Sequence, residues 1–120
     1  MKGCNHVSFE CAKLLKDAGY PVIGDFYTED GVWFPSEMLV LVDDEDCFFP
    51  AAQLWDAQKW LRDEIGIQAV VLPVYDEGNW KYLYRFVDER GASELLGYSN
   101  SFEVALNDCI MEALKEHGKV

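Results

Sequence analysis

The N-terminal segment carries the side chains that come nearest to a metal-binding pattern. Cys4, His6 and Cys11 lie within eight residues of one another. Thiolate and imidazole are the ligands that zinc prefers, but zinc sites use four ligands at spacings such as C-x2-C. Here a fourth ligand is missing and Cys11 falls on an apolar helical position. We therefore expect no metal site, but a frayed N-terminus next to a core cysteine.

A run of acidic residues offers a second arrangement with possible chemistry. Residues 43–46 are Asp-Asp-Glu-Asp, and their oxygens could bind a hard cation. The run lacks the glycine and the distal glutamate of an EF-hand loop. It is typical of a solvated segment whose charges end a strand and prevent its pairing with another strand.

Catalytic patterns are not evident in the sequence. The two histidines are His6 and His117, and His117 falls in the last turn of a predicted helix, where the helix dipole favours a cation. Neither a G-x-S-x-G motif nor a phosphate-binding glycine loop occurs. We predict a protein without enzymatic activity, with no catalytic residues, no cofactor and no metal.

The aromatic residues point to a possible partner surface. Trp80, Tyr82, Tyr84 and Phe86 alternate along one predicted strand and share one face. That face could be a stacking platform. The favoured interpretation is that it packs under helices while Lys81 and Arg85, on the other face, meet water.

Two tryptophans flank the apolar stripe of a predicted helix, and one of them is expected to be partly exposed. These are Trp55 and Trp60. An exposed tryptophan is a reasonable candidate for a partner contact. The candidate partner surface is therefore Trp55, Trp60, Trp80 and Tyr82.

Three helices are predicted from apolar periodicity and from capping residues. The first spans about residues 9–18, with Ser8 as N-cap and Gly19 and Pro21 at its end. The second begins at Pro50, a favoured first helical residue, and ends at Gly66. The third is capped by Ser101 and ends at Gly118.

Short antiparallel strands are predicted between the helices. A hairpin is expected over residues 25–35, around the turn Glu29-Asp30-Gly31, and a buried strand over 38–42. A second hairpin joins strands at 67–74 and 80–87, and Pro73 indicates a sheet edge or a bulge. A further strand is expected over 92–98. The pattern predicts an α+β fold, with three amphipathic helices packed on short antiparallel strands.

Size and charge restrict the classes of protein to consider. The 120 residues, half of them hydrophobic, suit a single domain over 1–120 with two sub-halves, 1–49 and 50–120, that share one core. The net charge of −12 argues against direct binding to nucleic acid or to an anionic membrane. No apolar stretch reaches the roughly 18 residues that span a bilayer, and no signal peptide is evident. A cytoplasmic location is expected.

Four segments of the chain carry a resemblance to known sequences. They read FECAKLLKDAGY, FYTEDGVWF, FPAAQLWDAQKWLRDEIGIQAVV and SFEVALNDCIMEAL. Together they resemble a family of small uncharacterised proteins from Bacteroides-type bacteria, their phages and their mobile elements. The chain departs from that family at residues 49–52, Phe-Pro-Ala-Ala, where a cap with Ser or Thr is usual. The resemblance implies a bacterial cytosolic protein of unknown function and assigns a role to no residue.

Three functions remain open at this point. The leading hypothesis is a non-enzymatic accessory or binding protein that acts through a protein partner or as a homodimer, and it predicts a contiguous exposed aromatic patch. The first alternative is an acidic DNA mimic that inhibits a host nucleic-acid-binding protein. The second is a small-molecule binder or enzyme with a cleft between the two halves.

Overall fold

The chain forms three helices and two antiparallel sheets in a computed structural model that describes residues 5–41 and 47–118. In chain order the elements are α1 (Phe9–Asp17), β1 (Phe26–Tyr27), β2 (Trp33–Phe34), a 3-10 helix (Ser36–Leu41), β3 (Phe49–Pro50), α2 (Leu54–Trp60), a π-helical turn (Leu61–Ile65), β4 (Gln68–Asp76), β5 (Asn79–Asp88), β6 (Gly91–Ala92), β7 (Gly97–Ser99) and α3 (Phe102–His117). The predicted α+β class is confirmed.

The predicted helix caps are in place. Ser8 Oγ accepts the Cys11 N–H at 3.2 Å, and Ser101 Oγ accepts the Val104 N–H at 3.3 Å. Gly66 ends the second helical segment with a φ of 86°, a left-handed conformation that glycine adopts at little cost. Local sequence therefore determines where α1 and α3 begin and where the second helical segment ends.

The predicted start of the second helix at Pro50 is wrong. Phe49 and Pro50 form β3, which pairs with β1, and α2 begins four residues later at Leu54. The Ala51 N–H donates to the Asp25 carbonyl at 2.9 Å, so this segment is held in a sheet by a distant partner. The order of this small sheet is β2-β1-β3, so β3 is an edge strand. Proline suits an edge strand as well as the first position of a helix, because its missing N–H is not needed in either place.

The strand predicted over residues 38–42 is also wrong where the structure describes it. Residues 36–41 form a 3-10 helix, and Val42 and the acidic residues 43–46 lie outside the described residues. The Asp25 carboxylate accepts the Ser36 N–H at 3.0 Å, and the Met38 N–H donates to the Pro35 carbonyl at 3.0 Å. A short apolar run does not by itself distinguish a strand from a helical turn.

The expected fraying of the N-terminus does not apply to residues 5–7. The Asn5 carbonyl accepts the Leu54 N–H at 2.6 Å, and the Val7 N–H donates to the Ala52 carbonyl at 2.9 Å. Val7 is fully buried, and its carbonyl accepts the Tyr27 hydroxyl at 2.7 Å. Residues 5–7 are therefore part of the packed structure, while Cys4 lies outside the described residues.

The larger sheet is built on a long hairpin of β4 and β5. Their register pairs Gln68 with Val87 and Asp76 with Asn79, so the turn consists of Glu77 and Gly78. The strand predicted over 92–98 is divided into β6 and β7, both of which pair with β5. β4 lies at the edge of this sheet, as Pro73 predicted.

One buried cluster joins the two parts of the chain. Helix α3 packs on β4 and β5 and also on α1. Asn107 of α3 forms two hydrogen bonds with Ser8 at the start of α1. The Asn107 Oδ1 accepts the Ser8 N–H at 2.9 Å, and the Asn107 Nδ2 donates to Ser8 Oγ at 3.1 Å. The cluster therefore contains residues from both sub-halves, such as Leu15 and Ile110.

Replacement of Asn107 by alanine should destabilise the protein. The Asn107→Ala variant leaves the half-buried Ser8 N–H without its acceptor, which costs about 1–3 kcal/mol of unfolding free energy. Urea denaturation followed by circular dichroism measures this change. The control is Asn100→Ala at an exposed position, for which we expect a change within about 0.5 kcal/mol. Equal effects of the two variants would show that the contact between Asn107 and Ser8 adds no stability.

Replacement of Glu77 by glycine should stabilise the protein. Glu77 has a φ of 51°, a left-handed conformation that costs a non-glycine residue about 1 kcal/mol. Two-residue hairpins favour Asn-Gly or Gly-Gly in such turns. We expect Glu77→Gly to raise the urea midpoint, whereas Glu29→Gly, in a turn where the native residue has no positive φ, should lower it. A lower midpoint for Glu77→Gly would contradict the proposed relief of strain.

Candidate functional site

The two faces of the β4–β5 hairpin have different surroundings. Side chains alternate between the faces of a sheet, so Ala69 and Phe86 share the face that α3 covers. Both are buried, and Val71 and Tyr84 pack against the core beside them. This arrangement defines a helix face and, on the opposite side, an open face.

The predicted aromatic row on β5 is buried at one end and exposed at the other. Phe86 is buried and Tyr84 is half-buried beneath α3. Tyr82 is half-buried and contacts the ring of Phe102, with 6.0 Å between the ring centroids. Trp80 lies beyond the start of α3 and is 54% exposed. The expected packing under helices therefore applies to the inner residues of the row, and the exposed surface begins near Tyr82.

Trp80 has an aromatic neighbour on the opposite strand. Tyr75 pairs with it across the hairpin, and their rings meet edge to face with centroids 5.2 Å apart. Tyr75 is exposed as well. We call Tyr75 and Trp80 the hairpin tip pair. The pair is an exposed aromatic surface of the kind that is enriched in protein interfaces.

The other two candidate tryptophans lie on α2, away from this pair. Trp55 is 60% exposed, and its Nε1 donates to Gln53 Oε1 at 2.6 Å. Trp60 is half-buried against Tyr20, with 5.2 Å between their centroids. The prediction that one of the two is partly exposed is confirmed for Trp55. Among the described residues, no ring contact joins either tryptophan to Trp80 or Tyr82.

The open face is an apolar surface that the sequence interpretation did not identify. None of its apolar side chains belongs to the buried core or packs against it in the described residues. They are Val70, Leu72, Val74, Leu83, Val87 and Tyr98. The segment IQAVVLPV already indicated such a surface, because its apolar residues occupy both odd- and even-numbered positions and therefore both faces of a strand. A strand that is apolar on both faces is typical of a sheet covered on both sides.

Two cations interrupt the apolar residues of the open face. Lys81 and Arg85 flank Leu83 on β5. Lys81 forms an ion pair with Asp76 at 3.6 Å and lies over the Tyr98 ring, 5.5 Å from its centroid. Arg85 has no ion pair among the described residues. The open face thus presents a guanidinium that no carboxylate of the described residues pairs with, on a protein of net charge −12.

The outer edge of β4 is poorly suited to pairing with another strand. The Ala69 carbonyl, which points outward, accepts the side-chain amides of Gln58 and Gln68, each at 2.9 Å. Pro73 lies on the same outward-facing register and has no N–H to donate. A partner is therefore expected to contact the surface of this sheet rather than extend it.

Among the described residues, His6 and Cys11, for which no metal site was expected, have other surroundings. The His6 ring is nine-tenths buried, and its Nε2 lies 3.0 Å from Asp25 Oδ2. Cys11 is buried in the core. Within residues 5–41 and 47–118, no group of three or more His, Cys, Asp or Glu is placed to hold a metal ion.

The thiols of Cys11 and Cys109 are poorly suited to nucleophilic chemistry. Burial, with a smaller contribution from Asp108, raises the pKa of Cys11 to about 12. Burial likewise raises the pKa of Cys109 to about 11. Because the thiolate is the reactive form, both side chains behave as small core residues at neutral pH.

Two open clefts lie beside the C-terminal end of α3. One, of about 440 Å³, lies near Ile67 and the turn that follows β5. The other, of about 780 Å³, lies between the end of α1 and the end of α3 and so occupies the boundary between the two sub-halves. His117 lines both, but the described lining of neither includes Cys, Ser or Thr. The described lining of these clefts therefore offers no hydroxyl of Ser or Thr and no thiol as a nucleophile.

The carboxylates are distributed over elements of both sub-halves. Acidic residues occur on all three helices and in the turns of both hairpins. Several are paired with cations nearby, including Asp63 with Lys59 and Glu112 with Lys115. This distribution does not favour the DNA-mimic alternative, which stays a prediction.

Comparison with known proteins gives no relatives. The chain matches no family model, no curated protein and no solved structure. In the part of the chain that the structure describes, no helix is long and apolar enough to cross a membrane. Any function must therefore be argued from the surfaces described above.

The raised thiol pKa values predict that the protein loses stability in alkali. The unfolded chain ionises these thiols near their ordinary pKa of 9.0, whereas the folded protein holds the Cys11 proton up to about 12. The unfolded state therefore loses protons first, and the unfolding free energy should fall as pH rises above about 9. Urea midpoints between pH 8 and 10.5 measure this fall. A Cys11→Ala variant should show a shallower decline, and an identical decline would contradict the assignment to Cys11.

Proposed function

We propose that the protein is a non-enzymatic binding module that acts through protein–protein contacts. The observation that carries this proposal is the open face, where six apolar side chains lie outside the core on one side of the larger sheet. Val74 and Tyr98 are exposed, and the other four are half-buried. An apolar surface that meets solvent beside charged residues is typical of a protein interaction site. The hairpin tip pair lies at one end of the same sheet, on the opposite face.

The composition of this surface supports contact with a protein. Tyr98 on the open face is 61% exposed. Tyrosine, tryptophan and arginine are the residues that most often dominate binding energy at protein interfaces. The open face contains two of these types, in Tyr98 and Arg85, and Trp80 lies on the other face of the sheet. The resemblance to small proteins of Bacteroides-type bacteria and their mobile elements, and a cytoplasmic location, belong to the same proposal.

A comparison of captured proteins tests the proposal. Tagged wild-type protein and a Leu83→Asp variant are incubated with lysate of the source organism, and the captured proteins are quantified by mass spectrometry. We expect at least one protein to be captured by the wild type and reduced at least about 10-fold by Leu83→Asp, because a buried carboxylate without a partner is costly. Its capture should persist from low to moderate salt, since apolar contacts are not screened.

The control variant places the same change on a different apolar surface. Ile23 is exposed and lies beside Trp60, so Ile23→Asp adds a carboxylate away from the larger sheet. This variant should capture the same proteins as the wild type. If Leu83→Asp and the wild type capture identical proteins, the open face is not the binding surface.

A further inference from the structure

We infer that the open face binds an acidic amphipathic helix of a partner protein, with a carboxylate of that helix paired to Arg85. This inference rests on the proposed function and specifies the partner. Helices cover one face of the β4–β5 sheet, and no described element covers the other. A helix laid across an apolar sheet face is the usual way to complete such an arrangement.

Binding on the face is favoured over extension of the sheet edge. At the outer edge of β4, the Ala69 carbonyl already accepts two side-chain amides, and Pro73 lacks an N–H. An added strand would therefore find the hydrogen-bonding row interrupted at both positions. The open face, in contrast, presents exposed Val74 and Tyr98 and half-buried Leu83 to another apolar surface.

The charges of the open face identify the chemistry of the occupant. Lys81, Leu83 and Arg85 form a row along β5, and the two cations lie about 13 Å apart at the ordinary rise of a strand. Asp76, at the end of the face, is already paired with Lys81. Arg85 is left without a carboxylate among the described residues. Burial of this guanidinium under a partner requires a carboxylate from that partner.

The same charges argue against a second copy of the chain as the occupant. Two sheets that pack face to face in the aligned manner cross at about 30°. A two-fold axis near Leu83 would then place each cation opposite a cation of the other copy. If the strands of the two copies run parallel, Lys81 faces Lys81, and if they run antiparallel, Lys81 faces Arg85. Like charges that face each other at the centre of an interface are destabilising. Each copy also carries a net charge of −12, which adds long-range repulsion.

A peptide library of amphipathic helices tests the inference. The library, displayed on yeast, has a fixed leucine stripe and randomised residues on both borders of the stripe. It is sorted with the wild-type protein, with Arg85→Glu and with Leu83→Asp. We expect wild-type protein to enrich Asp and Glu at the border positions about 10-fold relative to Arg85→Glu, which should instead enrich Lys and Arg. The net charge of the protein alone would favour basic peptides, so acidic selection must come from local contacts.

Two further variants serve as controls for this experiment. Lys59→Glu makes the same change in net charge at an exposed position on α2 and should enrich the same peptides as wild type. Arg85→Gln removes the charge without reversing it and should lose the acidic preference. It keeps the test decisive if Arg85→Glu fails to fold, which the circular dichroism spectrum reports.

The outcomes separate the inference from the proposed function. If peptides bind wild type but not Leu83→Asp and show no acidic preference, the binding surface is correct and the inferred partner is wrong. If wild type enriches no peptide relative to Leu83→Asp, the inference fails, and the proposed function then depends on the capture experiment. Sedimentation equilibrium should give the monomer mass of 13.7 kDa. Twice that mass, reduced to 13.7 kDa by Leu83→Asp, would identify a second copy as the occupant and overturn the inference.

Discussion

The burial of helix α3 between two neighbours is the constraint on which the rest of the structure depends. One side of its apolar stripe covers the larger sheet, and another packs against α1. Small side chains at Ala105, Cys109 and Ala113, all fully buried, allow these neighbours to approach closely. Asn107 adds a polar contact with Ser8 at the start of α1. A single helix thus joins the two sub-halves into one core.

The same helix explains why part of the sheet is left uncovered. Its N-terminal end lies over Tyr82, through the contact with Phe102, and its C-terminal end lies near Ile67. A helix of 16 residues is about 24 Å long, whereas a strand of 10 residues extends about 34 Å. The tip of the hairpin therefore projects beyond the helix. Because α3 covers one face, the apolar residues of the other face remain outside the core.

Many helix ends and strands of the fold could be predicted from local sequence patterns, because helix caps and apolar periodicity depend on neighbouring residues. Ser8 and Ser101 cap helices, and Gly66 ends one, at the positions that the sequence indicates. The alternation along β5 predicts a strand with one face toward the helices and one face away from them. The errors fall where a distant partner decides between two local options. Pro50 lies in a strand because β1 pairs with it, and residues 38–41 form a 3-10 helix. The candidate site shows the same difference between local and distant information. Trp80 was identified from its residue type alone, whereas the open face, which depends on where α3 packs, was not identified.

The sequence by itself determined the class of the fold, the helix ends, the alternation of side chains on β5 and the acidic charge. These properties depend on residue type and on spacing of a few positions along the chain. Only the tertiary structure decided which face of the sheet is covered and that Asn107 binds Ser8 instead of water. It also left Arg85 without a carboxylate partner among the described residues. These outcomes depend on which distant elements pack together, because a strand that is apolar on both faces carries no local signal of which one a helix will cover.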